Sequence, residues 1–249
     1  MVRGLYIAGT GMITQMKRMD VLSNNLANVD TNGFKEDSLL SRSFEDMLID
    51  RIGDPAVVNV SSRVGQLNTG IHIDSVYTGF EQGSAKETNC PTDLMIKGEG
   101  FFVVLTENGE RYTRDGAFEI DGFGRLATKS GDVVLGENGA INLSNNNFTV
   151  KSNGEIYTED GFVDKIKIIN FDNNALRKTG NNLYENYLQS PEQTSSSNVA
   201  QGFVESSNVD LAKSMVRMVE VYRNYESNQR IIKMIDDTLA KAVNEIGKI

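Results

Sequence analysis

Residues 209–249 read VDLAKSMVRMVEVYRNYESNQRIIKMIDDTLAKAVNEIGKI, and this stretch decides the architecture. Apolar or aromatic side chains return every seventh residue: Leu211, Met218, Tyr225, Ile232, Leu239 and Ile246. A second line runs beside the first through Val221, Ile235, Ala242 and Ile249. That is the 3.5-residue repeat of a helix that meets a partner along a seam. No proline interrupts the stretch, and its first glycine is Gly247. Asn208 and Asp210 supply candidate N-terminal caps. A helix of this length measures about 60 Å at a rise of 1.5 Å per residue. It is too long to bury itself in an ordinary core. The opposite end of the chain offers a partner, because Leu5, Met12, Met19 and Leu26 are also spaced by seven, with Ala8, Leu22 and Val29 beside them.

The remaining composition is consistent with two kinds of region. The chain has 249 residues, 39% of them apolar, and a net charge of −9. Residues 1–35 carry +2 and residues 209–249 carry +1, so the middle carries −12. The near-neutral ends can pack together, while the middle stays solvated. An acidic surface of this kind argues against general nucleic-acid binding. No run of 18 apolar residues exists to span a membrane. The single cysteine, Cys90, excludes an internal disulfide and a multi-cysteine metal site. The apolar run after Arg3 is broken by Gly9, Thr10, Gly11, Thr14 and Gln15, which argues against a cleavable signal.

The spacing predicts a first helix over residues 3–29. Gly9 and Gly11 either weaken it, at about 1 kcal/mol each, or admit the close approach of another backbone. Asn24, Asn25 and Asn28 are unusual in a helix interior, since asparagine competes for backbone hydrogen bonds. Asn32-Gly33 reads as a helix stop with a left-handed glycine. On that reading Gly33→Val costs more than about 1 kcal/mol and Gly33→Asn less. Residues 36–52 place Leu40, Phe44, Met47, Leu48 and Ile52 at intervals that predict a short amphipathic helix, ended by Gly53-Asp54-Pro55. Residues 56–90, with Val57, Val58 and Val60, read as extended segments. His72, the sole histidine, falls on the wet side of a strand between Ile71 and Ile73.

From Pro91 the pattern becomes short strands around 94–96, 101–105, 111–113, 118–120 and 163–171. Six Asn-Gly or Asp-Gly pairs begin at Asn108, Asp115, Asp121, Asn138, Asn153 and Asp160, a hairpin signature. The fold class is therefore α+β. The terminal helices pair as a coiled coil around a central all-β module, a small sandwich or partly closed barrel. The expected organisation is a helical domain from 1–35 and 203–249, a connecting segment 36–90, a β-rich domain 91–185, and a solvated connector 186–202.

No residue pattern carries chemistry. Gly98-Glu99-Gly100 lacks the lysine and spacing of a phosphate loop. Glu99, Asp115 and Asp121 stand beside turn glycines rather than forming a carboxylate pair. Asp172-Asn173-Asn174 is only a fragment of a calcium loop. No nucleophile elbow exists, and His72 has no second histidine to help it. Neither a cofactor nor a metal is expected.

Four blocks of the sequence resemble the bacterial flagellar rod and hook proteins. They are Leu5-Tyr6 to Gly11-Met12 with Asp20 to Lys35; Asp93 to Phe102 with Tyr112-Thr113-Arg114-Asp115-Gly116; Gly180 to Tyr184; and Gln201 to Val209 with Met215-Val216 and Tyr225-Glu226. They cover most of the chain in the expected order, and residues 36–75 match least. The resemblance implies a structural subunit, most like a distal rod protein, exported through the flagellum's own secretion route; the alternatives are a proximal rod subunit and a cell-wall hydrolase associated with rod assembly. It also implies identical copies on a helical lattice and contacts with other rod and hook proteins and the export apparatus. The residues expected to carry assembly and packing are Leu5, Met12, Met19, Leu26, Asn24, Asn25, Asn28, Gly33, Phe34, Leu211, Met218, Tyr225, Ile232 and Leu239. Helices that depend on each other across some 175 residues recover their closure entropy poorly alone. Limited proteolysis of the dilute monomer is therefore expected to trim both termini and leave a resistant core over about 75–190.

Overall fold

The computed structural model describes residues 2–50, 63–143, 147–171, 175–188, 193–194 and 197–246. Val57, Val58, Val60, the Gly53-Asp54-Pro55 stop and Asp172-Asn173-Asn174 lie outside the described residues. The chain forms two compact units. One comprises Met1–Leu26, Asp37–Thr78 and Leu211–Ile249; the other comprises Ala27–Glu36 and Gly79–Asp210.

In the first unit, helix α1 spans Val2–Ala27 and helix α2 spans Leu211–Lys241, followed by a π-helical turn at Ala242–Ile246. Along α2 and into the turn after it, Ser214, Met218, Val221, Tyr225, Asn228, Ile232, Ile235 and Ala242 are buried or half-buried, with Arg217 and Glu226 half-buried beside them. The former fall at alternating intervals of four and three, apart from Leu239, which is exposed. Met218, Tyr225 and Ile232 of the seven-residue line lie on this stripe, whereas Leu211 and Leu239 of the same line are exposed. The two helices run antiparallel where they meet. A β-carbon on Gly4 would stand 3.4 Å from Ile235, and one on Gly11 would stand 3.0 Å from the Asn228 side chain. Within the single chain Gly11 thus faces a side chain, and Gly9 has nothing within 4 Å.

Residues 36–52 are not a helix. Asp37–Ser43 is a strand paired antiparallel with Ile71–Thr78, with a register shift between Leu40 and Ser41. Met47–Asp50 pairs with Arg63–Leu67. The apolar intervals fit a helix, but Ser38, Ser41 and Ser43 are weak helix formers, and the ribbon partner satisfies the backbone. Leu39 turns inward and Leu40 outward, the two-residue period of a strand. Arg18 of α1 donates to the Ser41 hydroxyl over 2.8 Å. His72 is half-buried rather than on the wet side. Its ring lies 5.0 Å from that of Phe44, which in turn lies 6.4 Å from Tyr6.

The second unit is built around the strand Phe101–Thr106. Phe101, Phe102, Val103 and Val104 are all buried, although successive strand residues face opposite ways. Both faces of the sheet are therefore covered. Phe102 and Val104 enter a cluster with Leu94, Phe118, Leu126, Val134, Ile156 and Ile168. Phe101 and Val103 enter a second cluster with Tyr112, Ile169, Phe171 and Tyr184. One edge of this strand pairs with Gly109–Thr113 through the two-residue turn Glu107-Asn108. The other edge is shared between Val133–Gly136 and Ile168–Asn170. The sheet extends to Leu176–Gly180 at one end and Phe118–Ile120 at the other, which do not pair, so it is not a closed barrel. A separate three-stranded sheet comprises Phe148–Val150, Glu155–Thr158 and Gly161–Lys165. The single strand expected over 163–171 is thus two strands, interrupted at Ile166 and Lys167.

Of the six turn glycines, Gly109, Gly139, Gly154 and Gly161 take positive φ, as hairpin turns require. Gly116 is a glycine for another reason. A β-carbon there would fall 1.6 Å from the Leu94 carbonyl oxygen, where the Leu94 amide donates to the Gly116 carbonyl over 2.9 Å. Two backbones touch at that point.

The ends of this unit are closed by the chain that flanks it. Leu94–Lys97 pairs with Asn198–Gln201, and Ala85–Glu87 pairs with Phe203–Glu205. Val199 and Val204 are buried. The solvated connector therefore stops before residue 198, because Val199 completes the core. Two outcomes follow. The C-terminal limit of the protease-resistant core is expected near residue 210 rather than 190, read by mass spectrometry of the limit digest. Gly116→Ala is expected to destabilise the unit by about 3 kcal/mol, read from urea unfolding, since the Leu94 backbone has no room to yield.

Candidate functional site: apolar helix faces and a buried ionic cluster

The positions expected to carry assembly divide into three groups. Leu5, Leu211 and Leu239 are exposed, and Met12, Met19, Leu26, Met218, Tyr225 and Ile232 are half-buried. Asn25, Gly33 and Phe34 are buried, Asn28 is half-buried and Asn24 is exposed. The exposed apolar residues on α1 also include Tyr6, Ile7, Ile13 and Met16; those on α2 include Met215, Val216, Val219 and Tyr222. Val216 is 68% exposed. Single exposed apolar residues are ordinary, but consecutive turns of them along two helices leave faces without cover.

The asparagines have separate tasks. Asn25 is fully buried and grips the backbone of Asp37 at both ends: its side-chain amide donates to the Asp37 carbonyl over 2.7 Å, and its oxygen accepts from the Asp37 amide over 3.0 Å. The Asn28 side chain accepts from the Thr31 hydroxyl in the turn that follows α1. Asn208, expected as a helix cap, instead accepts from the Glu36 amide over 2.7 Å and donates to the Gly79 carbonyl over 2.9 Å.

Gly33 has positive φ, as the sequence predicts, but it does not stop the helix, which ends at Ala27. A β-carbon on Gly33 would stand 2.4 Å from the Arg114 carbonyl carbon. The glycine is needed for backbone approach as well as for its conformation.

Around this approach lies a cluster that sequence reasoning missed. Lys35, Arg114 and Glu205 are 0%, 5% and 1% exposed. The Lys35 ammonium donates to Glu205 Oε1 over 2.5 Å and to the Glu81 carbonyl over 2.7 Å. Arg114 Nη1 donates to Glu205 Oε2 over 3.3 Å. The Gly83 amide also donates to Glu205 Oε1, over 2.9 Å. The Arg114 guanidinium lies 5.2 Å from the centre of the Phe101 ring, a cation–π contact. Lys178 covers the Phe34 ring at 4.1 Å and donates to the Lys35 carbonyl over 2.7 Å. Burial pushes Lys35 and Arg114 below their ordinary values, and the Glu205 carboxylate pulls both back up. Each member sits inside one of the blocks that carry the family resemblance, and an ionic residue next to Phe34 or Val204 was the available signal.

The acids weighed for catalysis have structural partners. The Asp121 carboxylate accepts from the Phe123 and Arg125 amides, each over 2.8 Å, and pairs with the Arg125 guanidinium. Asp115 accepts from the Ala117 amide, and burial raises its pKa, so it is not a wet position. Glu99 is exposed and accepts from the Asn170 side chain. Among the described residues no group of acids, histidine and cysteine is placed to hold a metal ion, and no helix is long and apolar enough to cross a membrane.

Long helices from both chain ends with uncovered apolar faces mark a chain shaped for contact with neighbours. Comparison with known proteins gives the family. Residues 5–35 match the flagella basal body rod protein family, residues 95–158 the D1 domain of the flagellar hook protein FlgE/F/G family, and residues 200–245 the C-terminal region of the flagellar basal body rod FlgEFG proteins. The chain is 34% identical to the flagellar hook-basal body complex protein FlhO of Bacillus subtilis, over the full length of both. It is 35% identical to the flagellar basal-body rod protein FlgG of Buchnera aphidicola from Acyrthosiphon pisum, over 97% of this chain and 98% of that one. It is 33% identical to the flagellar basal-body rod protein FlgF of Caulobacter vibrioides, over all of both chains. The chain belongs to the flagellar rod and hook protein family, whose members are structural proteins of the flagellar basal body rather than enzymes.

The close approach at Gly33 changes the outcome expected from the sequence alone. Gly33→Asn is expected to be as damaging as Gly33→Val, because any β-carbon meets the Arg114 backbone. Thermal unfolding of the two variants checks this: both lose stability to a similar extent, in contrast to the milder asparagine expected for a helix stop.

Proposed function

We propose that this chain is a subunit of the flagellar basal-body rod that polymerises on a helical lattice into a torque-transmitting tube around the export channel. In this reading α1 and α2 pair as a coiled coil in the inner wall and the β unit faces outward. The observation that carries it is the set of apolar faces on α1 and α2, with Leu5, Ile13, Leu211, Val216 and Leu239 exposed in the single chain. Copies repeating head to tail would cover such faces on more than one side of each helix pair and build an open tube. Other rod and hook proteins are the expected neighbours at the two ends of the stack, and the flagellar export apparatus is the expected route to them.

The position proposed is distal, as the resemblance of the sequence implies. A proximal position is the second reading. Replacement of each rod gene in turn by this one distinguishes them.

Ile232→Asp places a carboxylate on the half-buried stripe of α2, where its burial in an assembled seam leaves it unpaired. This substitution is expected to abolish rod assembly and motility, whereas Glu99→Ala leaves both intact. Swimming assays and electron microscopy of purified basal bodies read the result. Normal motility with Ile232→Asp sinks the coiled-coil reading.

A further inference from the structure

We propose that Glu205 is a latch that makes folding of the whole second unit conditional on both of its flanking segments. The latch is independent of which rod position the chain takes. Three stretches distant in sequence meet around one carboxylate: residues 33–36, residues 81–87 and residues 203–208. Both Glu205 oxygens are engaged, by Lys35, Arg114 and the Gly83 amide. The Glu205 carbonyl accepts from the Gly33 amide over 2.7 Å, and the Phe34 carbonyl accepts from the Asn208 amide over 3.3 Å. A β-carbon on Gly83 would fall 2.0 Å from the Ser206 carbonyl oxygen, so this join is backbone against backbone.

Charge makes the join all-or-none. The cations facing the cluster are Lys35, Arg114 and, above Phe34, Lys178; Glu205 pairs with the first two, and Glu99 also attracts Arg114. With residues 203–205 displaced, Lys35 and Arg114 would both lose the carboxylate that pairs with them in an interior that both occupy. Removing one partner of a buried pair costs far more than the pair itself contributes. Displacement of 203–205 also unpairs Ala85–Glu87, and the adjoining strand Asn198–Gln201 is the partner of Leu94–Lys97, whose Leu94 and Ile96 line the first core cluster. Arg114 lies next to Thr113, which ends the strand paired with Phe101–Thr106. Opening at Glu205 therefore reaches the centre of the sheet in two steps, one through charge and one through strand pairing.

Native-state hydrogen exchange on the full chain tests the latch. The amides of residues 101–106 and 109–113 are expected to exchange through the same opening as those of 33–36 and 203–205, with equal denaturant dependence. Glu205→Gln is expected to lower protection at all four segments together, by at least about a hundredfold. The triple variant Lys35→Met/Arg114→Met/Glu205→Met removes the three buried charges of the cluster while nearly keeping volume, and is expected to recover protection to within about tenfold of the parent. Should Glu205→Gln not fold at all, folding of the triple variant supports the latch. Two results overturn it: residues 101–113 staying protected while 203–205 exchange, or a triple variant as open as Glu205→Gln.

Discussion

Lys35 and Arg114 are cations withdrawn from water, and one carboxylate, that of Glu205, reaches them both. Taking an ion out of water costs several kcal/mol even after the surroundings relax, and the cost is offset only by good geometry and further hydrogen bonds. Here those are present, in the Glu81 carbonyl, the Gly83 amide and the face of Phe101. The cluster also explains Gly33. The chain passes so close to the Arg114 backbone that no side chain fits, and that closeness carries Lys35 to Glu205. Asn208, Lys178 and Asn182 then fasten the same passage by bonds to Glu36, Lys35 and Asn32.

The central strand Phe101–Thr106 imposes the second constraint. Its four leading residues are apolar on both faces, so the sheet needs cover on both sides. The first cluster draws on the three-stranded sheet through Phe148, Val150 and Ile156, and on Val199 from beyond residue 197. The second draws on Phe171, Tyr184 and Phe80, whose rings meet Tyr112 and Phe101 edge to face or tilted at 4.5–5.5 Å. A domain reading that stops at residue 185 omits Val199, and one that starts at residue 91 omits Phe34, Lys35 and Phe80. Function enters through the other unit. There the helices retain apolar faces that the single chain does not cover, as expected of a family whose members are structural parts of the flagellar basal body.

What the sequence determined by itself is what local periodicity encodes. The seven-residue spacing of Met218, Tyr225 and Ile232 marks the half-buried stripe of α2, and Asn108-Gly109 and Asp160-Gly161 mark turns, because such patterns act within a few residues. Tertiary structure decided the rest. Residues 37–43 satisfy a helical spacing, yet pair as a strand with 71–78, since a ribbon partner some thirty residues away supplies the backbone bonds. Leu239 keeps the seam spacing and remains exposed, because burial depends on which neighbour reaches it. The Lys35–Glu205 pair spans 170 residues of sequence, and no periodicity reports a contact of that range. Only the folded chain brings those charges together, because an ion pair is fixed by distance in space, which spacing along the sequence does not specify.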